Sequence, residues 1–140
     1  MSRWARVEAI IRIRNPEGAK KILSEQKHVE SLWSYYTHPY RAFSGSEGDA
    51  CLSVNEEFTE FYITGELRDV ECSEEQIELL KEDFKKIIEL TNGQGYVEMN
   101  FDYEGTALVE YYDDEGFKYR FFHEADGFSK YYDKKKKGEI

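Results

Sequence analysis

Three short runs rich in aromatic and β-branched residues, 96–103, 106–112 and 117–123, follow one another with only Glu104-Gly105 and residues 113–116 between them. Connections of that length leave no room for a parallel crossover, so the C-terminal part of the chain is expected to be an antiparallel meander. A further turn signal at residues 125–127 closes the third run.

The elements before this meander are read from periodicity. Over residues 4–14, Ala5, Val7, Ala9, Ile11 and Ile13 fall on one side and Trp4, Arg6, Glu8, Arg12 and Arg14 on the other, the pattern of a half-buried strand. Asn15-Pro16 then starts a helix, since proline fits the first helical position. Ala19, Ile22, Leu23, Leu32, Trp33 and Tyr36 recur near helical spacing, which predicts a helix from 16 toward 36 with a break near Lys27-His28. Residues 37–49, with Pro39, Gly45, Gly48 and several serines, have no period and read as a long loop. Residues 50–55 and 58–67 are expected to pair as strands around Glu56-Glu57. Ser73 and Gln76 have capping-box spacing, Ile77, Leu80, Phe84, Ile87 and Ile88 form one apolar stripe, and Asn92-Gly93 supplies a left-handed stop, so a second helix lies between them.

The order is β-α-β-β-α-β-β-β. It implies an α+β fold with two helices packed on one face of a mainly antiparallel sheet, whose first six elements follow the order of a ferredoxin-like core with extra C-terminal strands. With 140 residues, 40% hydrophobic and 16% aromatic, one core is expected. The expected domain is residues 1–133, and residues 134–140, which hold Lys134 to Lys137, read as a frayed basic tail.

Several chemistries lack a footing. Cys51 and Cys72 lie 21 positions apart with no Cys or His at metal-ligand spacing, and His28, His38 and His123 stand in no metal-binding context, so no metal and no cofactor is expected. No phosphate-cradling glycine loop and no nucleophile elbow occurs, and no catalytic residue is nominated. The longest apolar stretches are a few residues, too short for a signal peptide or membrane span, and the chain reads as cytoplasmic.

Charge is the informative feature. The net charge of -10 argues against direct binding to nucleic acid or an anionic membrane, and it is concentrated. Residues 1–41 hold eight Lys/Arg and four Asp/Glu, residues 42–126 hold six and 23, and residues 127–140 hold five and two. Tyrosines interleave with the acidic runs, and aromatic rings beside carboxylates suit contacts with arginine-rich surfaces. The expected partner-binding residues are Glu56, Glu57, Glu60, Tyr62, Asp102, Glu104, Tyr112, Asp113 and Asp114, and the expected partner is a basic protein such as a nuclease or another nucleic-acid enzyme.

Two alternatives accompany this expectation. The chain could self-associate through exposed strand edges and aromatics. It could instead bind a small ligand, or act on one, through an aromatic loop at 35–43 containing Tyr36, His38, Tyr40 and Arg41. In size and charge the chain resembles immunity proteins against nuclease toxins and phage-encoded anti-defence inhibitors, including inhibitors of CRISPR systems. That resemblance implies an inhibitor that blocks a nucleic-acid-binding surface, and it rests on no motif.

Overall fold

The computed structural model describes residues 3–123. The elements in chain order are β1 (Trp4–Arg12), α1 (Pro16–Ser24), β2 (Lys27–Glu30), β3 (Ser34–Thr37), a 3-10 turn (Arg41–Phe43), β4 (Ser44–Gly45), β5 (Gly48–Asp49), β6 (Cys51–Val54), β7 (Glu60–Arg68), α2 (Glu74–Thr91), β8 (Gln94–Phe101), β9 (Gly105–Tyr112) and β10 (Gly116–His123). The tail at 134–140 and the turn signal at 125–127 lie outside the described residues.

Six strands form one antiparallel sheet in the order β10-β9-β8-β1-β7-β6. The two strand-helix-strand units interleave: β7 lies between β1 and β6, and β1 lies between β7 and β8, which is the split βαβ arrangement. The hairpins β8-β9 and β9-β10 extend the sheet on one side, as the short turns require.

Both helices pack on one face, and alternation decides which. Ala5, Val7, Ala9 and Ile11 of β1 are buried, with Phe61 and Ile63 of β7 and Val97 and Met99 of β8 beside them. Ala19 and Ile22 of α1 and Leu80, Phe84, Ile87 and Ile88 of α2 close over this layer. Each large apolar side chain so removed from water contributes about 1.5–3 kcal/mol. The helices touch through Gly18, where a Cβ would stand 1.7 Å from the Leu90 carbonyl oxygen, so only glycine permits that approach.

The start and stop of α2 agree with its sequence signals. Ser73 Oγ accepts from the Gln76 backbone N–H at 3.1 Å, and Asn92 adopts φ 47° while the Gly93 N–H reaches Ile88 O at 3.0 Å. The reciprocal half of the capping box is absent. Gln76 Nε2 instead donates to Ala42 O at 2.9 Å, tying the helix to the 3-10 turn.

The first helix is shorter than its spacing predicts. It ends at Ser24, and Lys27–Thr37 forms the β2-β3 hairpin. Two physical causes are visible. The Gln26 side chain is engaged by the Leu52 backbone, and His28, Val29, Tyr35, Tyr36 and Thr37 are residue types that favour a pleated strand over a helix. Leu32 and Trp33 therefore sit at a hairpin tip, 96% and 55% exposed, and not on a buried helical stripe. Residues 37–49 are more ordered than a long loop: β2, β3, β5 and β4 form a small second sheet, and Ala42 and Phe43 are fully buried.

Candidate binding surface

The face of the large sheet turned away from the helices carries the other phase of each strand. Register places Tyr62 of β7 opposite Ile10 of β1, Ile10 opposite Tyr96 of β8, and Tyr96 opposite Glu110 of β9. One step toward the strand ends, Glu60 stands opposite Arg12 and Arg12 opposite Gln94. Gly95 has φ 155°, and a Cβ there would come within 2.1 Å of Ile10 O, so the backbone dips where β8 meets β1. The result is a shallow recess of about 270 Å³ lined by Ile10, Arg12, Glu60, Tyr96 and Tyr112 around Gly95.

Tyrosine hydroxyls on this face donate to carboxylates. Tyr62 donates to Glu60 Oε2 at 2.6 Å and Tyr96 to Glu8 Oε1 at 3.0 Å. The bond to Glu60 raises the Tyr62 hydroxyl above the ordinary tyrosine range; burial, reinforced by Glu8, does the same for Tyr96; and burial, reinforced by Glu110 and Glu115, does so for Tyr112. These rings stay neutral donors, and Glu60 is oriented by its neighbour.

Two turns flank the recess. In the β6-β7 turn Asn55 Oδ1 accepts from the Thr59 and Glu60 N–H groups, each at 2.9 Å, and Phe58 takes φ 55°, which leaves Glu56 and Glu57 pointing into solvent. In the β9-β10 turn Arg14 grips Asp113 through both carboxylate oxygens, at 2.6 and 2.8 Å, while its Nε donates to Asn92 O. Asp113 is thereby held below the usual carboxylate range by the Arg14 hydrogen bond. Its neighbour Asp114 is exposed. Among the described residues Glu56, Glu57, Glu60 and Asp114 form no ion pair, and Arg12 is the cation among them.

Seven of the nine expected partner-binding residues, Glu56, Glu57, Glu60, Tyr62, Tyr112, Asp113 and Asp114, thus meet at one end of the sheet. Asp102 and Glu104 do not join them. They lie in the β8-β9 turn at the other end, about 25–30 Å away along a nine-residue strand, where Glu104 pairs with Arg3. Ile10 and Tyr96 belong to the recess and were not among the expected site residues. Ile10 had left a signal, since it is an apolar residue in the polar phase of β1, and it is 38% exposed.

The aromatic loop is packed into the fold. The His38 side chain has no exposed surface; its Nε2 donates to Ala50 O at 2.9 Å and its Nδ1 accepts from the Tyr40 N–H at 3.2 Å, which fixes a neutral tautomer. The Tyr40 hydroxyl donates to Glu25 at 3.1 Å and is raised by burial. Tyr36 lies against Cys51, and that contact raises its hydroxyl. Arg41 alone turns outward, into an open polar cleft of about 430 Å³ beside Arg3, Asp69, Glu71 and Glu75. No helix among the described residues is long and apolar enough to cross a membrane, and no group of three metal-ligating side chains occurs among them. No protein-family model, curated protein or solved structure matches this chain.

Proposed function

We propose that this chain is a non-enzymatic binding protein that uses the Glu60-Tyr62-Tyr112 end of its sheet to cover a basic surface of another macromolecule, in the manner of an immunity protein or an anti-defence inhibitor acting in the cytoplasm. The observation that supports this reading best is the setting of four carboxylates that form no ion pair among the described residues, Glu56, Glu57, Glu60 and Asp114, around a recess walled by tyrosine rings and Ile10. Exposed carboxylates accelerate the approach of a positively charged partner and penalise an acidic one. The rings and Ile10 then offer apolar area that carboxylates alone lack, and tyrosine is well suited to be an anchor because it loses little conformational freedom on binding. A nucleic-acid enzyme presents the required arginine-rich surface.

The test is capture of partners with the native chain, followed by kinetics on each retained partner with the native chain and with the triple reversal Glu56→Lys, Glu57→Lys, Glu60→Lys. Association should slow as salt rises and in the triple variant, whereas Tyr112→Ala should speed dissociation and cost on the order of 2 kcal/mol. Binding that ignores both salt and the reversal would discard this reading.

A further inference from the structure

Sheet edges invite pairing with other chains, and the described edges of this fold are unequal. The outer edge of β6 is occupied at Leu52, whose N–H and C=O both bond to the Gln26 side chain. β4 is two residues long. On β10 the side chains of the open face include Lys118 and Arg120, and antiparallel pairing of two copies about Tyr119 would set Lys118 opposite Arg120, while pairing about Arg120 would set it opposite itself. β2 is different. It ends the small sheet, its Lys27, His28 and Glu30 are exposed, and it carries no proline or bulge.

The sequence of β2 is complementary to itself in one register. Two copies paired antiparallel about Val29 put His28 of each opposite Glu30 of the other, twice by symmetry, and set Lys27 opposite the uncharged Ser31. In the single chain His28 Nδ1 lies 3.9 Å from its own Glu30, on the same face, so the pairing gathers two imidazoles and two carboxylates in alternation. The same register brings the hairpin tip, with Leu32 and Trp33, beside the start of β2 in the second copy. Leu32 is the most exposed large apolar side chain among the described residues and Trp33 beside it is more than half exposed, and adjacent exposure of that size is unusual on a surface that stays in water.

We infer that β2 is a self-association edge, through which two copies of this chain join their small sheets about a two-fold axis at Val29. The edge is four residues long, so the interface falls at the small end of specific contacts and the dimer is transient. It leaves the acidic end of the large sheet free, and so does not depend on the function proposed above.

Sedimentation across a concentration series tests the register. The native chain should pass from monomer to dimer. His28→Glu sets Glu opposite Glu and Glu30→His sets His opposite His, and each should weaken the dimer about threefold, whereas the double swap His28→Glu, Glu30→His should restore it. Leu32→Ser with Trp33→Ser should weaken it about tenfold, and because both side chains are exposed the monomer should keep its melting temperature. A chain that stays monomeric at all concentrations, a dimer indifferent to the tip variant, or a swap that fails to rescue would each overturn the inference.

Discussion

The Gln26 side-chain amide pairs with the backbone of Leu52 as a neighbouring strand would, donating to its carbonyl at 3.0 Å and accepting its N–H at 2.7 Å. Gln26, two residues beyond the end of α1, thereby closes the edge of β6 at Leu52 and fixes where the first helix must stop. Gln26→Ala removes both bonds from a nearly buried backbone segment and should cost about 2 kcal/mol in denaturant melts, with increased light scattering as the freed edge seeks partners. Unchanged stability and scattering would show that the amide is incidental.

This bond also explains why the N-terminal third was the least legible part of the sequence. Ala19, Ile22 and Leu23 do belong to a helix, but Leu32, Trp33 and Tyr36 match its spacing only by coincidence, and what separates the two sets is a contact 26 positions away. Local signals served where the partners were local: the alternation of β1, the Ser73 cap, the left-handed Asn92 and the three turn-linked strands. The acidic site was half legible. Tyrosine beside carboxylate marked Glu60, Tyr62 and Tyr112, yet only register shows that Asp102 and Asp113 belong to opposite ends of the sheet.

The α2 cap separates two roles that the capping-box spacing had merged. Ser73→Ala removes the acceptor for the Gln76 N–H and should cost about 1 kcal/mol. Gln76→Ala leaves that cap in place and removes the bond to Ala42 O, costing about 1 kcal/mol through the packing of the 3-10 turn. Amide exchange should distinguish them, with the first variant opening the start of α2 and the second opening residues 41–43.

Asp83 gives a pH dependence with a definite sign. It is buried on α2 and accepts the Ala42 N–H at 2.9 Å; burial raises its carboxyl pKa, against the lowering effects of that bond and of Lys86. A carboxyl whose pKa is higher folded than unfolded holds its proton longer in the native state, so its contribution is present below the unfolded pKa and lost as pH rises through the folded one. Asp83→Asn keeps an oxygen for Ala42 without the ionisation. The variant should gain stability relative to the native chain between about pH 4 and neutrality, and the difference should shrink in more acidic buffer. A gap that widens on acidification would contradict the assignment.

Gly18 tests the helix contact directly. A Cβ at this position would lie 1.7 Å from Leu90 O, closer than any side-chain adjustment relieves, because the obstacle is backbone. Gly18→Ala must push α1 off α2 and should cost about 3 kcal/mol despite the better helix propensity of alanine. Gain in stability would mean that the helices sit farther apart.

Asp113 and Asp114 are neighbours with different work. Arg14 binds both oxygens of Asp113 and bridges to Asn92, joining the β9-β10 turn to the ends of β1 and α2, whereas Asp114 is exposed and forms no ion pair among the described residues. Because the Arg14 bond lowers the Asp113 pKa, its contribution is present above the unfolded carboxylate range and fades as pH falls through the folded value. Asp113→Asn should therefore lower stability at neutral pH and converge on the native chain in acid. Asp114→Asn should leave the melts unchanged within about 0.5 kcal/mol and slow association with a basic partner. The two carboxylates are adjacent and carry equal charge, so long-range electrostatics cannot separate them. If the two variants behave alike in both measurements, the Arg14 clamp does not divide structural from partner-facing charge at this turn.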